Sequence, residues 1–333
     1  MINRTWGSND GIIDWLLEED NPSVRYLALR DLLGRKEGDS EVKRAKARIM
    51  EVGPVPRILA KQSPEGNWGN PEDFYQRSKY KGTVWNLILL AELCADPEDA
   101  RVKAACEFVL QWSQERTSGG FSIRGSGARG GTKGSVICCL TGNMIFSLIR
   151  LGYGDDPRVR KALNWLTTYQ RYEHVSQAPK QWPYVYDQCW RDHTCRSGAV
   201  KSLKAMAEVP RAQRTKDLRD KIEEGAEFLL SQNIFHKGPN SKQVARPDWL
   251  RFGFPLMWNS DVLEILDILT RLEYQDERMH DAIAVLLSKR EPDGRWMQEN
   301  RFQGRFLVSL ERNEKPSKWV TLRALQVLEA MPR

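Results

Sequence analysis

Four residues carry the strongest chemical signal in this sequence: Cys139, Cys189, His193 and Cys195. Thiolates and an imidazole in one group favour zinc, whereas calcium and magnesium take oxygen ligands. Cys189, His193 and Cys195 fall within seven residues, and Cys139 stands 56 residues before Cys195. Four protein ligands would close the site and make it structural; three would leave a position for water or a substrate atom. Cys138 is the alternative to Cys139. If both thiols instead pack inside a helix and His193 caps one, no metal site forms. Cys94 and Cys106 sit in apolar helical context and read as core thiols.

Other groups could hold a ligand. The glycine-rich stretch 122–135 carries Arg124, Arg129 and Lys133, so backbone amides and cations could meet an anion such as a diphosphate. It lacks the Gly-x-x-x-x-Gly-Lys-Ser/Thr spacing of a nucleotide loop. Twelve tryptophans are many for 333 residues. Trp258 and Trp319 stand at helix starts, where they are expected to face a cavity; aromatic faces bind apolar chains and stabilise cations. Asp261 is the one acid placed as a cavity carboxylate, against the plainer reading of a helix N-terminal charge.

A repeat must position these residues. About every 55 to 60 residues an amphipathic helix ends near a Gln, followed by a turn and an aromatic. Gln62, Gly66 and Trp68 form the clearest copy, and later helices end at Gln114, Gln170, Gln232 and Arg290, the last followed by Trp296. An interleaved series opens the intervening helices at Trp85, Thr141, Ser197, Asn259 and Lys318. Apolar residues recur at helical spacing, as in Met144, Ile145, Leu148 and Ile149, and no segment alternates like a strand. Asp155-Asp156-Pro157 and Asp96-Pro97 place an acidic cap before a proline at the first helical turn. The fold class is all-α, built from stacked helical pairs.

The Gln62-x-x-x-Gly66-x-Trp68 copy resembles the QW motif of squalene and oxidosqualene cyclases and the repeat of protein prenyltransferase β subunits. This resemblance, over about residues 55 to 330, implies an α/α toroid: inner helices around a central cavity, outer helices wrapping them, turns stapled by Gln on Trp. Asp192-His193-Thr194-Cys195 followed by Ser197-Gly198 resembles the prenyltransferase segment in which the His is a zinc ligand. The chain also looks like a family of small bacterial toroid proteins, on residues 139–143, 249–255 and 316–325, which implies the fold and no reaction. The Asp-x-Asp-Asp motif with which class II cyclases protonate an alkene is absent, as are the Asp-rich helices of class I enzymes and the Asp-x-Cys pair of the prenyltransferases. No catalytic residue is assigned.

Residues 1–52, with Asn21-Pro22 opening a HEAT-like pair, are expected to cap the array, and 53–333 to form the toroid. No apolar run approaches a membrane span, and the chain is expected in the cytoplasm with reduced cysteines. The net charge of +7 is spread among acids and forms no stripe for nucleic acid. The expectation is a zinc-binding toroid that binds or transforms an isoprenoid-like, perhaps diphosphate-bearing, ligand in an aromatic central cavity. The alternative is a non-catalytic zinc-stapled scaffold that binds a peptide or protein.

Overall fold

The computed structural model describes residues 10–75, 79–172, 195–299 and 305–331. Five helices that are buried along most of their length stand side by side: α5 (Thr83–Glu92), α7 (Cys138–Leu148), α9 (Arg196–Ala207), α11 (Val262–Arg271) and α13 (Lys318–Ala330). Each packs on the next in that order. Between α13 and α5 stands α2 (Pro22–Leu27), continued by a wider helical turn over Ala28–Leu32. Ser23 Oγ donates to Leu93 O at 2.7 Å, and Arg323 of α13 bonds Glu92 of α5, which closes the circle. A helix apolar on all sides is a buried helix, and these have that composition.

Around this ring lie α6 (Ala100–Trp112), α8 (Pro157–Tyr169), α10 (Lys216–Leu230) and α12 (His280–Ser288), each packed on the inner helix before it. α3 (Ser40–Glu51) packs on α2, and α1 (Asp10–Leu16) on α13. α4 (Pro54–Leu59) follows α3. The chain is an all-α, α/α toroid, as expected. The segment 10–51, expected as a cap, supplies α2 to the ring itself and α3 behind it.

The turns repeat in atomic detail. Gln62 Nε2 donates to Gly66 O at 3.0 Å and to Arg101 O of the next outer helix at 2.9 Å; Gln114 Nε2 donates to Gly119 O and to Arg158 O at 2.9 and 2.8 Å. The aromatic after each turn is anchored at the next inner helix, by Trp68 N to Thr83 Oγ1, Phe121 N to Thr141 Oγ1 and Trp296 N to Thr321 Oγ1 at 3.2, 2.9 and 3.0 Å. Gly66 has φ +88°, and a Cβ there would meet Ala104 O at 2.5 Å, so only glycine fits. Asp156 caps α8 before Pro157, whereas α6 is capped by Asp99, one turn beyond the expected Asp96. Arg101 and Arg158 clasp these capping acids, and Arg278 clasps Asp276, which caps the short turn leading into α12.

Where the inner helices begin, residues 252–260 cross the ring. Asn143 Nδ2 of α7 donates to Met257 O at 3.1 Å, and Trp258 Nε1 donates to Tyr80 Oη, ahead of α5, at 3.0 Å. Gln298 bonds both the N–H and the carbonyl of Phe254. Phe252, Phe254 and Met257 are buried in this plug.

Candidate functional site: a charged central cavity

Toward the other end, where α5, α7 and α9 finish, the ring encloses a cavity of about 750 Å³. Glu264, Glu92, Lys204 and Trp319 form its depth; Arg30 and Asp31 from the turn after α2, Lys46 from α3, and Arg271 and Glu329 stand nearer the rim. Arg150, Glu208, Asp267 and Arg323 complete the charged lining. Six cations and six carboxylates therefore face one space, with Tyr26, Phe146 and Trp319 as its aromatic walls. The expected aromatic cavity is corrected: the tryptophans and phenylalanines are consumed by the turns, the core and the plug, and the inner-helix ends contribute charge instead.

The buried charges form one belt. Lys201 Nζ sits 2.7 Å from both oxygens of Glu264. Lys204 Nζ sits 3.1 Å from Glu264 Oε1 and 2.5 Å from Glu92 Oε1, and Arg323 Nη2 lies 2.7 Å from Glu92 Oε2. Four inner helices are thus tied through residues exposed by 1% (Lys201), 2% (Glu264) and 6% (Glu92 and Lys204). Beside it, Glu208 lies between Arg150, at 3.2 Å, and Arg271. Burial works to raise the Glu92, Glu208 and Glu264 carboxyls, but the adjacent cations outweigh it and hold all three below the usual range, Glu208 at about 2. Lys201 is pushed down to about 8, chiefly by burial, with Glu264 opposing.

The residues expected to bind a ligand divide. Trp319 lines the cavity, its ring stacked on Phe254 at 4.0 Å. Trp258 belongs to the plug, with Lys79 above its ring at 5.4 Å. Asp261 does not line the cavity: it caps α11, accepting from Glu264 N at 2.7 Å and from Gly253 N at 3.1 Å. Burial pushes its carboxyl up to about 7 against those two donors. Arg124, Arg129 and Lys133 are exposed on and beside a small hairpin, β1 (Gly125–Ser126) with β2 (Gly130–Gly131), away from the cavity lining. Cys106 is core, but Cys94, expected in the core, has φ 58° at the end of α5 and faces the cavity; burial pushes its thiol up to about 11.

Of the expected zinc set, Cys189 and His193 lie outside the described residues. Cys195 is the N-cap of α9, and Cys139 is the second residue of α7, half-buried. A Cβ on Gly198 would lie 3.1 Å from Cys138 Cβ and 3.6 Å from Cys195 Cβ, so those two thiols flank one glycine where α7 meets α9. Among the described residues no three His, Cys, Asp or Glu side chains are grouped to hold a metal, and no helix is long and apolar enough to cross a membrane.

No family model matches the chain, and no curated protein matches it. Among solved structures it is similar to a family 76 glycoside hydrolase from a bovine Bacteroides thetaiotaomicron strain, at 14% identity and a TM-score of 0.51 over 94% of this chain and 67% of that one. It is also similar to a protein from Actinoplanes (15% identity, TM-score 0.46, 97% and 99% covered) and, more distantly, to the type II terpene cyclase MstE from Scytonema (13%, 0.34, 82% and 95%). The first likeness shows a shared fold; the other two carry no argument.

Proposed function

We propose that the chain binds a small, neutral, hydroxyl-rich molecule, a sugar or sugar-like polyol, in the central cavity. The observation that carries this reading is the equal set of six cations and six carboxylates around one enclosed space. Equal numbers leave little net field to draw an ion, while fixed donors and acceptors stand side by side. A hydroxyl both donates and accepts, and so matches that alternation. A hydrocarbon chain would strip water from these groups without replacing their bonds, at a cost of about 1–3 kcal/mol for each polar group left unsatisfied. The isoprenoid expectation thus fits the lining poorly, and the volume suits a small molecule rather than a peptide. With Glu92, Glu208 and Glu264 held ionised, none of the three supplies the protonated carboxyl a general acid needs at neutral pH. The reading is therefore one of binding.

Calorimetric titration with monosaccharides and with geranylgeranyl diphosphate tests it. Saturable sugar binding, weakened about tenfold by Trp319→Ala, supports the polyol cavity. Binding of the prenyl diphosphate alone overturns it and restores the isoprenoid reading.

A zinc staple is a second and separate proposal, favoured by the approach of Cys138 and Cys195 to Gly198. Cys139, Cys189, His193 and Cys195 are the ligand set, with Cys138 as the alternative to Cys139. Such a site would join α7 to α9 and leave the cavity untouched. An anion site on Arg124, Arg129 and Lys133 is likewise separate from the cavity.

A further inference from the structure

α9 brings two lysines, three positions apart and so on one helical face, to a single buried carboxylate. Lys201 Nζ bonds both oxygens of Glu264, and Lys204 Nζ shares Oε1 of the same group. Lys201 faces inward between helices, whereas Lys204 lines the cavity, its Nζ 4.1 Å from the centre of the Phe146 ring. Two ammonium ions so close in a dry site repel, which favours loss of a proton from the cluster. The lowering of Lys201 to about 8 agrees: burial is its largest cause, Glu264 opposes, and the charge of Lys204 adds. A second carboxylate, Glu92, stands 2.5 Å from Lys204 Nζ, within direct proton-transfer distance. A buried amine with carboxylates on two sides, opening on an enclosed cavity, has the parts of a carbonyl-trapping lysine.

We propose that Lys204 condenses with the carbonyl group of a hydroxyaldehyde or hydroxyketone, the open-chain form of a reducing sugar, and holds it as a protonated imine. This rests on the polyol reading of the cavity and narrows its ligand to one bearing a carbonyl. The Lys204 ammonium gives a proton to the Glu92 carboxylate. The nitrogen lone pair then forms a bond to the carbonyl carbon, the C=O π pair moves to oxygen, and a proton passes from nitrogen to that oxygen. Glu92 returns its proton to the hydroxyl, which leaves as water while the nitrogen lone pair forms C=N. The sum is ammonium plus carbonyl giving iminium plus water, with no change of oxidation state. Glu264, at 3.1 Å, is the counter-ion of the iminium.

The test incubates the full chain with glycolaldehyde or D-ribose and sodium cyanoborohydride, which reduces an iminium to a stable amine, and maps the adduct by peptide mass. The expected result is one dominant adduct at Lys204, formed about 10-fold faster than at any exposed lysine. It should be absent from Lys204→Arg, which keeps a cation between Glu92 and Glu264. Adducts distributed over exposed lysines in the wild-type chain overturn the proposal, whether or not the variant folds. Sorbitol, which has no carbonyl, separates the two claims by calorimetry. Sorbitol bound with no adduct at Lys204 sinks the imine alone; failure of sorbitol and sugars alike to bind sinks the cavity reading with it.

Discussion

Lys204 of α9 and Glu92 of α5 meet inside the ring, Nζ to Oε1 at 2.5 Å, across 112 positions of sequence. Neither helix touches the other through its apolar face at that point; the contact exists because the ring closes. Glu92 also holds Arg323 at 2.7 Å, so one carboxylate serves two buried cations.

Removing that carboxylate leaves both cations without it in a site that water barely reaches. Glu92→Ala is expected to destabilise the fold by about 3–5 kcal/mol, read as a lower urea midpoint with an unchanged slope. Arg211→Ala, which breaks an exposed pair with Glu273, should leave the midpoint where it is.

Gly142 lies against the backbone of α9, and a Cβ there would meet Lys201 O at 2.4 Å. Backbone cannot rotate away as a side chain can. Gly142→Ala should therefore push α7 from α9, cost about 1–3 kcal/mol or more, and weaken sugar binding by displacing Lys201 and Lys204. Thermal melting and calorimetry on the same sample read both effects.

Asp261 and Glu311 are pushed up to about 7, in each case mainly by burial and against hydrogen bonds that favour the carboxylate. Unfolded carboxyls titrate near 4, so the folded chain binds these two protons more tightly. Their contribution to stability is full below about pH 4, is lost as pH rises to about 7, and stays absent above. Glu208, at about 2, acts in the opposite sense below about pH 4. The melting temperature should fall between about pH 5 and 8, and Asp261→Asn should flatten part of that fall. An unaltered profile in the variant would remove Asp261 from the account.

Zinc X-ray absorption on the purified chain should show about three sulfur neighbours and one nitrogen if the staple forms. Comparing Cys138→Ser with Cys139→Ser then identifies the ligand on α7, since only the true ligand should lower zinc content. Absence of zinc after reconstitution would end the metal proposal.

The ring was legible because its turns repeat chemistry: a Gln to bond the next outer helix, a glycine where a Cβ would strike it, an aromatic to anchor the next inner helix. The Asp-x-Arg clasps at Asp99, Asp156 and Asp276 were a further visible repeat that the sequence reading missed. The cavity was hidden for a physical reason. Glu92, Lys201, Lys204, Glu264 and Arg323 lie on four different helices, and each reads as solvated until the ring sets them opposite one another. Lys201 and Lys204 left a trace, standing among Val200, Leu203 and Ala205 in a helix with no exposed face. Trp258 and Asp261 were drawn to the cavity because they open an inner helix, but the segment before α11 turns across the ring and takes them with it.

That crossing segment makes the interior a cul-de-sac among the described residues. Whatever enters past Arg30 and Arg271 must leave by the same door, so occupants exchange one at a time. A second molecule cannot follow the first through or push it out from behind, and two ligands of this cavity should exclude each other completely.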